Sequence, residues 1–359
     1  MPSFDISAYQ QKTKIFIDER QDTIKDIIKN YGKTCLILTG KSSAKVSGAL
    51  DSFIPILQSS SITYSIFNEI EPNPTINTVE RCVECYKFKN IDFILAIGAG
   101  SVLDASKAIA FGLRGAQIFV KSDVTPIKII GACTASGTGS EVTPYCRLTD
   151  IKLQTKHGIP NKTWLDICFF DSNWQKTIPE EQCISMYMDV LTHACESSVS
   201  NKRSENQLSV SLNALQLLKE ARGEEFRSTK YFNLMIKAAI LGGIAIDMSP
   251  CTIPHEMSYA ITIRYGLSHG LAVAQFEYAY LKLKQIQLPE IVDQIFTSFA
   301  DNETDFKDII LKYLGDKKVQ VKETDIEWIA SYMIENNKLI FHDGEISKND
   351  IIEIFKQSQ

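Results

Sequence analysis

The first half of the chain alternates short apolar runs with amphipathic stretches. Apolar, β-branched runs predict strands at residues 33–40, 59–70, 91–100 and 125–140. Residues 75–90 and 101–113, which separate them, repeat their apolar positions with helical spacing. This alternation predicts an α/β domain built on a Rossmann-like, doubly wound parallel sheet.

After Trp174 the apolar positions recur with helical spacing only. The segments that show this are 179–200, 205–222, 231–249, 305–315 and 327–337. Turn-forming residues in "DSNWQKTIP", at 171–179, separate the two patterns. We therefore predict an α/β domain over residues 1–175 and an all-helical domain over residues 176–359.

Composition narrows the class of protein. Of the 359 residues, 44% are hydrophobic and 23% charged, and the net charge is −5. No basic excess exists to bind nucleic acid, and no long uninterrupted apolar run predicts a membrane span. The N-terminus lacks the pattern of a secretory signal. The nine cysteines, scattered through apolar runs, predict reduced thiols in a cytoplasmic protein.

Two glycine-containing loops follow predicted strands. "GAGS" begins at Gly98 and leads into a helix, and "TASGTGSE" spans residues 134–141. Glycine lets a phosphate approach the backbone, and the N–H groups at a helix N-terminus attract anions. A plain tight turn would also explain the first loop, but two such loops at one sheet edge favour a dinucleotide.

A third loop bears on the choice of dinucleotide. Strand 33–40 ends at Gly40 and is followed by Lys41, Ser42, Ser43 and Lys45, without the acidic residue that commonly binds the ribose diol of NAD. Hydrogen-bond donors and positive charge suit a 2′-phosphate, which predicts NADP(H) in preference to NAD(H). The alternative is a solvated lysine–serine turn.

The second half contains a candidate metal site. Asp189 and His193 are four residues apart in a predicted helix, so they share a face. "PHEMSYAITIRYGLSHG" adds His255 and His269. One carboxylate and three imidazoles suit Fe²⁺ or Zn²⁺. His157 and His342 lie in polar sequence and have no evident partner.

These motifs together resemble the iron-containing (group III) alcohol dehydrogenase family over nearly the whole chain. The stretches that carry the resemblance are "GAGSVLDASKAIA", "TASGTGSEVTPY", "MDVLTHACES" and "PHEMSYAITIRYGLSHGLAVA". The resemblance implies a sheet domain that binds the cofactor and a helical domain that binds metal and substrate. It also implies hydride transfer between NAD(P) and an alcohol or aldehyde, with the metal as Lewis acid.

The resemblance assigns residues to these roles. Its metal ligands fall on Asp189, His193, His255 and His269. Its cofactor-binding segments fall on Gly98, Ala99, Gly100, Ser101, Asp104, Lys107, Thr134, Ser136, Thr138 and Ser140, with Asn73 and Lys156 as further contacts. The catalytic candidates are His255, His269 and Tyr259.

The sequence departs from the family pattern at Ala99, Ala135 and Tyr259. Ala99 replaces a glycine, which is tolerated if the backbone angle there is ordinary, and Ala135 replaces a threonine. Tyr259 stands where many members have a second histidine in the substrate pocket, which leaves the proton path open. This pattern resembles a branch with phosphonoacetaldehyde reductases and 3-deoxy-octulosonate 8-oxidases, which implies anionic substrates.

Two alternatives remain at this stage. One is a lyase similar to dehydroquinate synthase, which uses NAD and a metal without net redox change. The other is a non-catalytic sensor that keeps the fold. A small-molecule alcohol or aldehyde is the expected partner, with no nucleic acid and no membrane; a homodimer is a further expectation.

Overall fold

The computed structural model describes residues 12–153 and 155–359. The contacts of the described residues divide the chain into two compact units, one ending at Ile178 and the other spanning Pro179–Gln359. Residues 1–11, on which the expectation about a secretory signal mainly depends, lie outside the described part.

The first unit is built on a parallel sheet. Its strands are β1 (Lys14–Ile17), β2 (Thr34–Thr39), β3 (Thr63–Phe67), β4 (Phe93–Gly98), β5 (Lys128–Cys133) and β8 (Ile167–Phe170), and β6 (Arg147–Asp150) and β7 (Thr155–Gly158) form a separate antiparallel hairpin. The order in the sheet is β1-β8-β5-β4-β2-β3, with every pair parallel. The predicted parallel sheet is confirmed.

Helices cover both faces of this sheet. They are α1 (Gln21–Ile28), α2 (Ser43–Val46), α3 (Ala49–Ser59), α4 (Ile76–Tyr86), α5 (Gly100–Gly112) and α6 (Ser172–Gln175). On one face, Phe53 of α3 is fully buried in a core that includes Leu95 and Phe169. On the other, α5 packs on β4 and β5. Alternate side chains of each central strand are therefore buried on opposite faces, which explains their continuous apolar sequences.

The second unit is helical. Its elements are α7 (Glu180–Val199), α8 (Glu205–Arg222), α9 (Thr229–Met248), α10 (Ile253–Tyr265), α11 (His269–Gln285), α12 (Pro289–Phe299), α13 (Glu303–Leu314), a short 3₁₀ turn (Gly315–Lys317), α14 (Glu323–Glu335) and α15 (Lys348–Gln357). Helix α7 is central, because it packs against α8, α9 and α11 and is buried along most of its length. The predicted all-helical second half is confirmed.

Helix α9 has the length and composition of a membrane-crossing helix. Its most apolar window is 72% buried inside the protein, and core helices meet the same two criteria.

Candidate metal centre and nucleotide loops

Three helices of the second unit bring the four predicted ligands together. Asp189 and His193 lie on α7, His255 lies on α10, and His269 is the first residue of α11. Oδ1 of Asp189 lies 3.6 Å from Nε2 of His193, 3.7 Å from Nε2 of His255 and 3.8 Å from Nε2 of His269. Donors about 2.1 Å from one tetrahedral ion lie roughly 3.4 Å apart, so the separations fit a shared cation.

Two of these donors lack the hydrogen bonds that buried polar atoms require. Asp189 and His255 are each 4% exposed. Among the residues that the structure describes, Oδ1 of Asp189 and Nε2 of His255 have no hydrogen-bond partner. A buried polar atom without a partner is costly, and a divalent cation would satisfy both atoms at once.

The charge of Asp189 depends on the surrounding imidazoles. Burial alone would raise the pKa of Asp189, but the facing rings of His193, His269 and His255 outweigh burial and hold that pKa well below its ordinary value. Asp189 therefore stays ionised, as a hard-metal ligand must.

A close helix crossing brings His269 to Asp189. The backbone N–H of Gly270 donates to Oγ of Ser185, at 3.1 Å. A Cβ added at Gly270 would lie 1.9 Å from the carbonyl oxygen of Ser185 and 2.9 Å from the backbone nitrogen of Asp189. Only glycine allows α11 to approach α7 this closely.

Glu196 orients one of the ligands and was not singled out from the sequence. Its Oε1 accepts a hydrogen bond from Nδ1 of His255, and its Oε2 accepts from the backbone N–H of Thr252 at 2.7 Å and from Oγ1 of Thr252 at 3.0 Å. The Nδ1–H tautomer leaves Nε2 of His255 available for a metal. The signal in the sequence was "HACE", in which Glu196 follows His193 by three residues on the same helix.

His269 has its own neighbours on α10. Nδ1 of His269 lies 3.4 Å from Oγ of Ser258, whose own hydroxyl donates to the carbonyl oxygen of His255 at 2.7 Å. The ring of Tyr259 stacks on His269, with 5.7 Å between centroids and 12° between planes. The catalytic candidate Tyr259 thus lies directly against a predicted ligand.

Glu277 is another carboxyl group near this centre that the sequence did not reveal. It is fully buried, and neither of its oxygens has a hydrogen-bond partner within the described part of the chain. Burial and the nearby charge of Glu196 raise the pKa of Glu277 well above its ordinary value. Its surroundings therefore favour the uncharged form of Glu277.

In the first unit, the three loops predicted to bind a nucleotide follow neighbouring strands. β5, β4 and β2 are adjacent and parallel, so the loops after Cys133, Gly98 and Thr39 lie side by side at the carboxyl edge of the sheet. Ligands of open parallel sheets bind at this edge. Lys41, Ser42, Ser43 and Lys45 are exposed there, beside the half-buried Gly40.

The two glycine-containing loops touch each other at Gly100. A Cβ at Gly100 would lie 2.2 Å from Oγ1 of Thr138, and the backbone N–H of Thr134 donates to the carbonyl oxygen of Gly98 at 3.1 Å. Ala99 has an ordinary φ of −83° and makes no side-chain capping bond to α5. Ala99 therefore places no side-chain cap over the start of α5, and the loops fit a phosphate group.

Several predicted cofactor residues hold the loops in place. Nζ of Lys107 donates to the carbonyl oxygen and Oγ of Ser140, at 2.8 and 2.9 Å, and to the carbonyl oxygen of Tyr145 at 2.7 Å. Asp104 accepts from Oγ of Ser140 and, at 2.9 Å, from the backbone of Arg147. All three ammonium protons of Lys107 are used within these loops, which Lys107 thereby holds in place.

Ser136, Asn73 and Lys156 lie around the same loops. Nε2 of Gln175 donates to Oγ of Ser136 at 2.7 Å. Oγ of Ser101 accepts from the backbone N–H of Asn73 at 3.2 Å. Lys156 pairs with Thr149 in the β6–β7 hairpin, and Oγ1 of Thr149 donates to the carbonyl oxygen of Asn73 at 3.0 Å.

The two histidines outside the metal cluster have partners, contrary to the sequence-based expectation. His342 is 6% exposed and its Nδ1 lies 3.1 Å from the hydroxyl of Tyr280. The ring of His157 meets Phe119 edge-on, with 6.5 Å between centroids. The polar sequence around His342 hid its burial, because its neighbours in space come from other helices.

Comparison with known proteins identifies the family. The profile described as iron-containing alcohol dehydrogenase matches residues 12–172, and the profile of the C-terminal part of the Fe-containing alcohol dehydrogenase family matches residues 183–359. The chain belongs to the iron-containing alcohol dehydrogenase family. It is therefore an oxidoreductase of a family that acts on alcohols with NAD(P) and iron or a similar metal.

Individual relatives agree with this membership. NADH-dependent butanol dehydrogenase A of Clostridium acetobutylicum is 27% identical over 290 residues, which cover 76% of this chain and 74% of the relative. NADPH-dependent butanol dehydrogenase of Clostridium saccharobutylicum is 27% identical over 259 residues, which cover 69% of this chain and 67% of the relative. The solved structure of an iron-containing alcohol dehydrogenase from Thermotoga maritima superposes with a TM-score of 0.89 at 26% identity. The superposition covers 96% of this chain and 97% of that chain.

Proposed function

We propose that this chain reduces aldehydes with NADPH, and oxidises alcohols with NADP⁺, at an Fe²⁺ or Zn²⁺ ion bound by Asp189, His193, His255 and His269. The observation that carries the proposal is the cluster of three Nε2 atoms 3.6–3.8 Å from Oδ1 of Asp189. Four such donors suit both ions, and metal supply decides between them as much as affinity does.

The residues of the chain contribute binding and orientation. A metal at this centre would polarise the carbon–oxygen bond of the substrate, and the nicotinamide would donate or accept the hydride. Glu196 fixes the tautomer of His255, and Gly270 sets the distance of His269 from Asp189. Tyr259 stacks on His269 and is the proposed group that moves the proton through its hydroxyl.

The preference for NADP(H) is proposed from the loop after β2. Lys41 and Lys45 are exposed there, next to exposed Ser42 and Ser43. The relatives differ in the cofactor they are named for: one similar butanol dehydrogenase is named as NADH-dependent and another as NADPH-dependent. We expect the double variant K41A/K45A to lose at least about tenfold in its NADPH-to-NADH ratio of kcat/KM, because each ammonium–phosphate bond is worth roughly 1.5–3 kcal/mol.

A matched control supports this cofactor test. Lys25 lies on α1, away from the loop after β2 in sequence, and K25A removes a lysine without touching that loop. K25A should keep the wild-type ratio. An unchanged ratio in K41A/K45A would show that the loop is a solvated turn.

The proposed substrates are small alcohols and aldehydes, with anionic aldehydes included on the resemblance to phosphonoacetaldehyde reductases. Arg264, between His255 and His269 in sequence, is already engaged by other side chains. Its guanidinium pairs with Asp325 at 2.5 Å and lies 3.9 Å from the ring centroid of Trp328.

We also propose a cytoplasmic location, no nucleic-acid or membrane partner, and a homodimer as the assembly to test. All nine cysteines lie in the described part of the chain and are free thiols, which supports a reducing compartment. The net charge of −5 supports the absence of a nucleic-acid partner.

The decisive experiment is an aldehyde panel, neutral and anionic, with NADPH or NADH and with Fe²⁺ or Zn²⁺ added back. We expect stoichiometric consumption of NADPH, and loss of both bound metal and activity in Asp189→Ala. Product formation without net cofactor consumption would indicate the lyase instead. Full metal occupancy in Asp189→Ala would refute the ligand assignment.

A further inference from the structure

A cysteine lies beside the proposed metal centre and has no role in the proposed reaction. Cys251 belongs to the short connection between α9, which ends at Met248, and α10, which begins at Ile253. Its Sγ and one ring nitrogen each of His193 and His255 all lie within 4.8 Å of one another. A carboxylate oxygen of Asp189 and ring nitrogens of His255 and His269 meet the same criterion.

The two sets of three form one cluster. They share His255, and Nε2 of His193 is 3.6 Å from Oδ1 of Asp189. Nε2 of His255 is buried and has no hydrogen-bond partner among residues 12–153 and 155–359. The thiol of Cys251 therefore borders the imidazoles of His193 and His255, and the ring of His255 also faces Asp189.

The backbone holds Cys251 in this position. The next residue, Thr252, donates both its N–H and its hydroxyl to Oε2 of Glu196. The other oxygen of Glu196 accepts from Nδ1 of His255. One buried carboxylate thus anchors the segment that carries the thiol and orients the imidazole beside it.

A sulfur donor would change the chemistry of the centre. Thiolate is a softer ligand than carboxylate or imidazole, so it favours Zn²⁺ and Co²⁺ over Mn²⁺. On binding, the thiol loses its proton to solvent and the sulfur donates an electron pair to the ion, with no change of oxidation state.

We infer that Cys251 is a fifth protein donor to the metal of this chain, beside Asp189, His193, His255 and His269, and that it shifts metal preference towards thiophilic ions. This inference rests on the metal site proposed above. The connection Ser249–Thr252 would then be part of the centre, and not merely a link between two helices.

Cobalt substitution tests the sulfur donor directly. The whole protein is stripped of metal, loaded with Co²⁺ and examined by absorption spectroscopy. Visible d–d bands report binding by the carboxylate and imidazoles, and a near-ultraviolet sulfur-to-cobalt charge-transfer band reports the thiolate. We expect both bands in the wild type, and loss of only the charge-transfer band in Cys251→Ser and Cys251→Ala.

The control is Cys183→Ser, which removes another thiol of the helical unit, from α7. It should keep both bands. A wild-type cobalt protein with d–d bands but no charge-transfer band, or a charge-transfer band that persists in Cys251→Ser, overturns the inference while leaving the four-ligand site intact. Absence of all cobalt bands in the wild type overturns the metal site itself.

Metal competition provides a second readout that does not depend on activity. Against a chromophoric chelator, Cys251→Ser should lose roughly tenfold or more in Zn²⁺ affinity and much less in Mn²⁺ affinity, since Mn²⁺ prefers oxygen donors. Equal losses for the two ions would indicate distortion of the centre and would overturn the sulfur contact.

Discussion

Glu196 binds Nδ1 of His255 while Nε2 of the same ring lies 3.7 Å from Oδ1 of Asp189. The imidazole is thus fixed between two buried carboxylates with different tasks. Asp189 faces the other ligands directly, whereas Glu196 sets the tautomer and the ring orientation of His255.

The first prediction concerns Glu196→Gln. An amide replaces one of the two carboxylate oxygens with an N–H₂ donor, so either His255 or Thr252 would then face a donor instead of an acceptor. We expect metal affinity to fall by about 10- to 100-fold, measured by chelator competition. Glu277→Gln is the matched control, because Glu277 is buried near Glu196 and its raised pKa favours the uncharged form. If both variants bind metal as tightly as the wild type, Glu196 does not orient the ligand.

The second prediction concerns the crossing of α7 and α11. Gly270→Ala would push a methyl group against the backbone of Ser185, which cannot rotate away as a side chain could. We expect the helices to separate, with loss of metal binding and a loss of stability of about 1–3 kcal/mol. Metal content and urea unfolding measure these effects.

Gly242→Ala serves as the comparison for this variant. It adds the same methyl group on α9, where the nearest atom is a side-chain carbon of Val190 at 3.3 Å. That side chain can move, so metal content should be kept. Equal metal loss in both variants would show that the effect is not specific to the α7–α11 crossing.

Much of the fold followed from apolar periodicity. Predicted segments 205–222 and 231–249 correspond to α8 and α9 within about two residues. The short strands β1 and β8 were missed, because four residues such as "KIFI" carry too little alternation to mark a strand. β8 pairs with β1 on one side and with β5 on the other. Both pairings join segments far apart in sequence, which no local pattern encodes.

The metal ligands could be predicted where they belong to a local sequence motif. Asp189 and His193 share a helical face by spacing alone, whereas Glu196, Cys251 and Glu277 gather around His255 only through packing. Likewise, Lys107 resembled a cofactor contact in sequence, and its three hydrogen bonds became visible only in the folded loop.

The third prediction concerns stability at acid pH. Burial and the nearby ammonium of Lys284 lower the pKa of His342 from 6.5 to about 4, against the opposing charges of Asp343 and Asp350. A histidine whose pKa is depressed by folding favours the native state above its unfolded pKa. That stability is lost as the pH falls from about 6.5 towards 4.

We therefore expect the urea midpoint of the wild type to fall more steeply between pH 7 and pH 5 than that of His342→Gln. Glutamine can still hydrogen-bond to the hydroxyl of Tyr280 but cannot be protonated in this range. Parallel curves for the two proteins would show that protonation of His342 does not govern the acid transition.

The last prediction concerns the hydroxyl of Tyr259. Tyr259→Phe keeps the ring that stacks on His269 and removes only the oxygen. If that oxygen moves the proton, metal content and KM should stay near wild type while kcat falls by about a hundredfold or more, and one limb of the pH–rate profile should disappear. Tyr265→Phe, on the same helix, removes a hydroxyl that binds Asp325 at 2.6 Å and should leave kcat unchanged. Wild-type kcat and pH dependence in Tyr259→Phe would reduce Tyr259 to a packing residue beside the metal and assign the proton path to water or to the cofactor ribose.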